Sequence, residues 1–332
     1  MSKCVSICIP FYNEEKNVSK IYYEIKDVLD RLSYKWELVC VNDGSCDMTL
    51  KELIKLHQED HRIRVFDFSR NFGKEAAITA ALRFCVGDCA ILMDADMQHP
   101  PSFIPNLLAR WEEGYDVVNA VRDTRAGESR IKKIAAFLFY KISKLLTQVK
   151  IPENIGDFRL FSRSVIDVLN QLPERRRFMK GLFAWVGFNT ASIIYTQQSR
   201  IHGRTKWNYW RLWNYAIEGL TSFSQIPLQV ASYLGFIISV SSFLYGFWIL
   251  VKTIIFGNSV KGYPSLIVSF LFIGGVQLIF LGIIGEYLGR IYDEVKQRPM
   301  FIVQKKWDHR NGFVGDRGAA NGSPEPMHQY DP

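Results

Sequence analysis

The chain has 332 residues, of which 48% are hydrophobic and 14% aromatic, so it can bury a sizeable core and is not a disordered polar tail. Its formal net charge of +8 favours an anionic partner: a nucleic acid, a phosphate-bearing ligand or an anionic membrane face. The six cysteines stand mostly in apolar runs and lack the further ligands of a metal site, which predicts reduced, buried thiols in a cytoplasmic domain.

The first 200 residues alternate short strand-like runs with helical patterns. The runs are VSICIP, ELVCVND, RVFDF, CAILMDAD and DVVNA, separated by stretches such as EEKNVSKIYYEIKDVLDRL. This alternation predicts an α/β fold with a mostly parallel sheet. The apolar run that ends at Pro10 is too short for a signal peptide, so we expect this part of the chain to stay in the cytoplasm.

Polar residues follow three of the predicted strands. Ligands of parallel α/β sheets bind at the carboxyl ends of the strands, so these residues are expected to meet in one crevice. The sequence has neither G-x-G-x-x-G after the first strand nor G-x-x-x-x-G-K-[ST], which argues against dinucleotide oxidoreductases and P-loop NTPases. The polar residues are Asn13 and Glu14, Asn42 and Asp43, and Asp94 and Asp96.

The segment MDADMQHPP combines two carboxylates with an amide. Asp94 and Asp96 flank one residue at the end of an apolar strand, and Gln98 follows. Oxygen ligands at this spacing suit Mg²⁺ or Mn²⁺ bridging a diphosphate. A solvated turn gives the same pattern, but the preceding apolar strand and the upstream VNDGS favour the metal site.

Two apolar runs follow the α/β region. Residues 233–255 carry one charge, Lys252, and residues 265–285 carry none. Each run is long enough to cross a hydrocarbon core of roughly 30 Å, although buried core helices would show the same pattern. The loop between them holds one basic residue and the flanks hold many, which predicts a transmembrane hairpin with both termini cytoplasmic.

Amphipathic and polar segments complete the predicted organisation. Residues 207–228 place tryptophans at helical spacing, which is typical of a helix at a membrane surface, and an ordinary core helix is the alternative. Residues 129–150 form a basic amphipathic stretch that could also lie on a membrane surface. Beyond residue 307 a disordered tail is expected. The predicted divisions are 1–206 for the catalytic domain, 207–228 for the interfacial helix, 229–289 for the hairpin and 290–332 for the C-terminal segment.

Several motifs together resemble a known family. The chain resembles the inverting family 2 glycosyltransferases of the GT-A (Rossmann-like) fold, in particular the polyprenyl-phosphate branch that includes the undecaprenyl-phosphate (bactoprenol) glucosyltransferases of O-antigen modification clusters. The resemblance extends to about residue 303. The motifs are PFYNEE, VNDGSCD, SRNFGKEAA, MDADMQHPP, ENIGDFRLFSR, RIHGRTKW and GEYLGRIYDEVKQRP.

This resemblance implies an activity and a setting. It implies transfer of glucose from UDP-glucose to undecaprenyl phosphate, with inversion and with Mg²⁺ or Mn²⁺, at the cytoplasmic face of the bacterial inner membrane. A homo-oligomer is expected, with a functional link to a lipid-glucose flippase and a periplasmic O-antigen glucosyltransferase. UDP-galactose, a UDP-N-acetylhexosamine and GDP-mannose remain alternative donors.

The resemblance also implies roles for individual residues. Asp157 matches the catalytic carboxylate, either as a base or as a positioning group, and a loop aspartate paired with Arg159 is the alternative. Asp96 acts with it, and the metal ligands are Asp94, Asp96 and Gln98. The nucleotide-sugar residues are Pro10, Tyr12, Glu14, Asp43, Lys74, Asp94 and Asp96. The acceptor-phosphate residues are Arg200, Lys206, Arg204, Arg122, Arg130 and Thr205.

Some assignments have simpler alternatives. Asp43 could instead form a turn with Gly44, and Lys74 could lie at the solvated start of a helix. The positive-inside bias of membrane proteins alone would explain the basic residues near 200–206. The run from Arg175 to Arg177 is interpreted as a solvated face by default, or as a positive rim near lipid. His99 receives no role.

Rival functions from other classes are weaker. Two spans are too few for a flippase or channel unless the chain oligomerises. A processive polysaccharide synthase would carry Q-x-x-R-W after its catalytic carboxylate and more spans. The basic residues concentrate beside the spans and the aromatic residues fit a membrane belt, which argues against a nucleic-acid partner.

Overall fold

The computed structural model describes residues 3–123, 155–175, 177–195, 226–256 and 262–309. The first range alternates strands and helices as predicted, and a 3₁₀ turn at Pro101–Phe103 precedes α4. Its elements are β1 (Cys4–Phe11), α1 (Glu15–Leu29), β2 (Lys35–Asn42), α2 (Thr49–Glu59), β3 (Ile63–Phe68), α3 (Lys74–Phe84), β4 (Cys89–Leu92), α4 (Ile104–Glu112) and β5 (Val117–Arg122). The later ranges hold β6 (Ile155–Ser162), α5 (Arg163–Gln171), α6 (Met179–Trp185), β7 (Thr190–Tyr195), α7 (Ile226–Phe256), α8 (Tyr263–Lys296) and β8 (Val303–Trp307).

The strands form one sheet in the order β7-β5-β6-β4-β1-β2-β3-β8. Strands β1 to β4 are mutually parallel, and β5 and β7 are also parallel. Strand β6 runs antiparallel to both β4 and β5. The prediction of an α/β fold with a mostly parallel sheet is therefore confirmed.

The central strands are apolar because helices cover both faces of the sheet. Ile7 and Ile9 of β1 pack with Ile21 of α1 in one buried cluster, while Val39 of β2 packs with Ala80 of α3 in a cluster on the other face. Each fully buried aliphatic side chain of this kind contributes roughly 1.5–3 kcal/mol to folding. The resulting rigid sheet holds the loops at its carboxyl edge in place.

The chain returns to this sheet after the second long helix. Strand β8 pairs antiparallel with β3 at the sheet edge, and Phe301 stacks on Phe68 at a centroid distance of 5.1 Å. The buried guanidinium of Arg64 binds Glu37 at 3.0 Å and Asp308 at 2.7 Å. Residues 303–307, which belong to the C-terminal segment predicted at 290–332, are therefore part of the same sheet as β1 to β7.

Helices α7 and α8 are both long and apolar enough to cross a membrane, judged by length and composition. Their apolar segments, Leu228–Tyr245 and Phe272–Lys296, are almost entirely unburied, unlike core helices. The helices touch where Gly235 faces the ring of Phe280. Both extend beyond the spans predicted at 233–255 and 265–285. The predicted amphipathic stretches at 129–150 and 207–225 lie outside the described residues.

All six cysteines are free thiols, as expected. Cys8, Cys40, Cys85 and Cys89 are buried, whereas Cys46 is exposed in the loop after β2.

Candidate active site

The carboxyl ends of β4, β1 and β2 lie side by side at one edge of the sheet, as predicted for the three polar clusters. Backbone hydrogen bonds join the loops that follow these strands: Asp43 N donates to Phe11 O at 2.9 Å, and Met93 N donates to Cys8 O at 3.0 Å. The residues after the three strands therefore face a common crevice.

Asp43 connects this edge to the start of α3. Its side chain is buried, and its carboxylate accepts hydrogen bonds from Phe72 N at 2.7 Å and Gly73 N at 3.0 Å. Burial raises the pKa of Asp43, and the two backbone donors oppose that rise. Gly44 has a φ of 65°, and a Cβ there would overlap the backbone of Arg70. Asp43 thus fixes the loop before α3, and its contact with a base stays a prediction.

The loop after β1 holds the other residues predicted to contact the nucleotide. Pro10 pairs in register with Val41, and Tyr12 is 38% exposed at the edge. The Glu14 carboxylate accepts a hydrogen bond from the amide of Asn17 at 2.7 Å. The backbone of this loop lies next to Asp43, whose N donates to Phe11 O, and the contact of Pro10, Tyr12 and Glu14 with a nucleotide stays a prediction.

Lys74 joins two carboxylates that come from different strands. Its Nζ lies 2.6 Å from Asp94 Oδ1 and 2.5 Å from Asp157 Oδ2. Strand β6 is antiparallel to β4, and Leu92 lies opposite Arg159. Because the strands run in opposite directions, Asp94, two residues after Leu92, comes to face Asp157, two residues before Arg159. Asp157 is therefore a strand residue paired with Lys74, and not the loop aspartate of the sequence alternative.

This pairing sets the charge of the site. Burial alone would raise the pKa of Asp157, but the Lys74 ammonium holds it well below its usual range. Burial would lower the pKa of Lys74, but Asp157 and Asp94 raise it above its usual value. Asp157 is consequently an ionised carboxylate near neutral pH, matched by a lysine that remains protonated.

Asp96 and Gln98 lie in the tight turn after β4. Asp96 Oδ1 accepts a hydrogen bond from Gln98 N at 3.2 Å, and Met97 between them has a φ of 62°. Among the described residues no group of three or more His, Cys, Asp or Glu side chains would hold a metal by itself. Mg²⁺ characteristically takes one or two carboxylates and completes its shell with substrate phosphates and water. The carboxylates of Asp94 and Asp96 fit a cation bound in that way.

His99 belongs to this site, although sequence analysis gave it no role. It is 1% exposed, its Nδ1 accepts a hydrogen bond from Asp94 N at 3.0 Å, and its ring stacks on Phe158 at 5.0 Å. Burial lowers the pKa of His99, which favours the neutral ring. The contact depends on the turn around Met97, so no spacing in the sequence would have revealed it.

Of the residues predicted to hold the acceptor phosphate, the structure describes Arg122. Its guanidinium at the end of β5 lies 3.5 Å from the Cβ position of Gly156, next to Asp157 in the chain. Arg122 is therefore close to the residue that precedes Asp157, the predicted catalytic carboxylate. The others, Arg130, Arg200, Arg204, Thr205 and Lys206, lie outside the described residues.

Comparison with known proteins decides the family. Residues 6–169 match the model of glycosyl transferase family 2. A bactoprenol glucosyl transferase derived from prophage SfII of Shigella flexneri is 45% identical over 301 residues, which cover 91% of this chain and 97% of that protein. The chain belongs to glycosyltransferase family 2.

Two further relatives match along nearly the same length. A prophage bactoprenol glucosyl transferase homolog of Escherichia coli K12 is 44% identical over 301 residues, covering 91% of this chain and 98% of that protein. A glycosyltransferase of Synechocystis sp. is 50% identical over 303 residues, covering 91% of this chain and 95% of that protein. The chain is therefore a glycosyltransferase, and the similarity includes the long apolar helices as well as the α/β domain.

Proposed function

We propose that this glycosyltransferase transfers glucose from UDP-glucose to undecaprenyl phosphate at the cytoplasmic face of the bacterial inner membrane, for O-antigen glucosylation. The observation that carries the proposal is the near full-length similarity to proteins named bactoprenol glucosyl transferases. Two observations support it: the carboxylates of Asp94, Asp96 and Asp157 share one sheet edge, and two unburied apolar helices follow the catalytic domain.

The acceptor determines how Asp157 acts in this proposal. A phosphate monoester has a second pKa of about 6, so its oxygen is already largely ionised at pH 7 and needs little help from a base. Asp157 is ionised as well, because Lys74 holds its pKa down. We infer that Asp157 and Lys74 together orient the attacking phosphate, with Lys74 offsetting the repulsion between two anions.

The reaction is then a single in-line displacement. A phosphate oxygen attacks the anomeric carbon while UDP leaves from the opposite face, so an α-linked donor gives a β-linked glucosyl lipid. A divalent cation, Mg²⁺ or Mn²⁺, held by Asp94, Asp96 and Gln98 would neutralise the charge that develops on UDP. Pro10, Tyr12, Glu14 and Asp43 would surround the uridine.

The acceptor side of the proposal rests on basic residues. Arg122, next to the catalytic strand, would bind the lipid phosphate together with Arg130, Arg200, Arg204, Thr205 and Lys206. The apolar helices would hold the prenyl chain with both termini in the cytoplasm. A homo-oligomer, a lipid-glucose flippase and a periplasmic glucosyltransferase complete the proposed setting.

The test is transfer by the purified full-length chain in detergent. The protein receives undecaprenyl phosphate, Mg²⁺ or Mn²⁺, and labelled UDP-glucose, UDP-galactose, UDP-N-acetylglucosamine or GDP-mannose. We expect label in the lipid from UDP-glucose alone, and a loss of roughly 100-fold or more in Asp96→Ala, which removes charge stabilisation at the leaving group. Asp27→Ala, on the exposed surface of α1, is the matched control and should keep full activity.

The alternatives give distinct outcomes in the same assay. If label enters the lipid from another donor, the proposed mechanism still holds and the proposed sugar is wrong. Absence of lipid label from every donor, with Asp96→Ala indistinguishable from the wild type, would contradict the proposed transfer.

A further inference from the structure

A polar cavity lies beside the Lys74–Asp157 pair. Its volume is about 250 Å³, and it is enclosed by the first turn of α3, the loop before α6, and Met300 just after α8. Lys74 and Glu75 form one wall, Arg175 and Arg177 form another, and apolar atoms come from side chains such as Met300. Because the Lys74 ammonium binds Asp157, this cavity adjoins the catalytic carboxylate.

Arg177 is buried in the wall of this cavity, and the sequence interpretation of its run as a solvated face is wrong for this residue. It is 8% exposed, and its Nε and Nη2 donate to the carbonyl oxygens of Glu174 at 3.1 Å and Leu172 at 2.6 Å. Within the described ranges no carboxylate lies at ion-pair distance from it. Burial lowers the pKa of Arg177, although the charges of Glu174 and Glu294 oppose that shift. A buried guanidinium without a directly bound counter-ion is costly, so this arrangement favours an anion in the cavity.

Arg175 supplies a second guanidinium and fixes the cavity to the end of α8. Its backbone N donates to Glu294 at 2.9 Å, and its Nη1 donates to Arg298 O at 2.5 Å. The loop that carries both arginines is thereby held against the segment that follows the apolar helix. The two guanidinium groups consequently have defined positions.

Glu75 is the carboxylate that opposes these cations. It accepts a hydrogen bond from Met179 N at 3.3 Å, and burial together with the nearby Asp157 raises its pKa to about 7. Near neutral pH this carboxylate is therefore partly protonated. The charge of Lys74 is balanced by Asp157 and Asp94, so the described lining is positive through Arg175 and Arg177, which are opposed by one partly protonated acid.

We propose that this cavity is a phosphate-binding site, separate from the diphosphate site at Asp94 and Asp96, in which Arg175 and Arg177 bind the oxygens of a phosphate monoester. Guanidinium forks match the geometry of phosphate oxygens. Phe178 and Met300 give the cavity an apolar side that suits a hydrocarbon attached to the phosphate. The phosphate is either the end group of a prenyl lipid or a free phosphate, and the lipid source rests on the proposed function.

Calorimetry tests the site by measuring how tightly inorganic phosphate binds to the full-length chain in detergent. We expect Arg175→Gln and Arg177→Gln each to weaken binding at least fivefold, which corresponds to loss of one charge-assisted contact. Asp96→Ala, and saturation with UDP and Mg²⁺, should leave binding unchanged because the two sites are separate. Arg110→Gln, an exposed arginine of α4 in a surface ion pair, is the control.

Glu75→Gln should change the phosphate affinity in the opposite direction to the two arginine substitutions. Damage to the fold would not produce such an increase. Removing the opposing carboxylate should strengthen phosphate binding. Sulfate, a dianion at every working pH, should bind the wild type more tightly as the pH falls through 7, because Glu75 becomes neutral. This dependence should vanish in Glu75→Gln, because that substitution removes the titrating carboxylate, although other charged groups also surround Glu75. They are Lys74, Asp157, Arg175, Arg177 and Lys180.

A short-chain prenyl phosphate distinguishes the two sources. The ligand is the lipid end group if the prenyl phosphate competes with inorganic phosphate at a lower concentration than added phosphate does. The prenyl alcohol should then have no effect. Equal displacement identifies free phosphate. Unchanged phosphate affinity in folded Arg175→Gln and Glu75→Gln, or loss of binding in Asp96→Ala, would overturn the site. These measurements need no glucosyl transfer, so failure of the proposed function would be seen separately.

Discussion

Single residues at the sheet edge balance each other's charge, and Lys74 is central to this balance. It lies between Asp94 and Asp157, which come from neighbouring antiparallel strands and would otherwise face each other as two anions. Near a protein surface such pairs interact with moderate energy, since solvent screens the half-exposed lysine. Lys74 therefore acts as an internal counter-ion at the place where the proposed cation binds.

Replacement of Lys74 by Met should make the site depend on an external cation. We expect Lys74→Met to unfold at a lower temperature, with a stability loss of roughly 1 kcal/mol, because the two carboxylates lose their counter-charge. Added Mg²⁺ should raise the melting temperature of the variant more than that of the wild type, since it supplies the missing positive charge. Thermal denaturation with and without Mg²⁺ measures both effects.

Lys3→Met is the matched control for this experiment. Lys3 is 48% exposed and pairs with Glu112 on the far side of the domain, whereas Lys74 is 46% exposed. The control should show no additional response to Mg²⁺. An equal response to Mg²⁺ in Lys74→Met and the wild type would contradict the counter-ion role.

At the scale of secondary structure, the buried parallel strands β1 to β4 and the outer strand β5 were predictable, whereas β6, β7 and β8 were not. Strands β1 to β4 are apolar on both faces, so their runs are unambiguous. Strand β6 contains Asp157 and Arg159, and reads as a polar loop motif until its partners are known. Strand β8 is an edge strand whose lysines protect the edge from further pairing, so its sequence carries little strand signal.

The C-terminal strand should contribute directly to the stability of the catalytic domain. Asp308 binds the buried Arg64, whose second partner is Glu37. We expect Asp308→Asn to lower the free energy of unfolding by about 3 kcal/mol, because breaking a buried pair leaves part of a charge uncompensated. Urea denaturation followed by tryptophan fluorescence measures this loss.

An exposed aspartate provides the comparison for Asp308. Asp27→Asn removes a surface ion pair with Arg31 and should change the unfolding free energy by less than about 0.5 kcal/mol. If both substitutions had equally small effects, β8 would not be an integral part of the folded catalytic domain.

For the molecule as a whole, the sequence identified candidate catalytic residues but not how they contact each other. The carboxylates Asp94, Asp96 and Asp157 were identified from motifs and lie together. The Lys74 bridge, the backbone contact of His99 and the burial of Arg177 were not predicted, because each depends on strand register or on a loop that packs against a distant segment. Sequence patterns report local periodicity and leave such contacts undetermined.

In the proposed membrane setting, the two long helices would determine how the whole molecule is placed. Basic residues flank the helices on the catalytic side, while the six positions between them, 257–262, include one lysine. This asymmetry predicts that the catalytic domain and β8 lie on the cytoplasmic side and that the connection between the helices lies outside. Since β8 pairs with β3, residues before α7 and after α8 must share one side of the membrane, which is consistent with an even number of crossings.

Cysteine labelling in intact cells tests this topology with an internal control. A membrane-impermeant maleimide should label Ser259→Cys, between the helices, without permeabilisation. Native Cys46 is exposed in the catalytic domain and should react after permeabilisation alone, because a cytoplasmic thiol is shielded by the bilayer. Labelling of Cys46 in intact cells would place the catalytic edge outside. Protection of Ser259→Cys until permeabilisation would show that the helices do not form a spanning hairpin, and the acceptor lipid would then have to reach the site by another route.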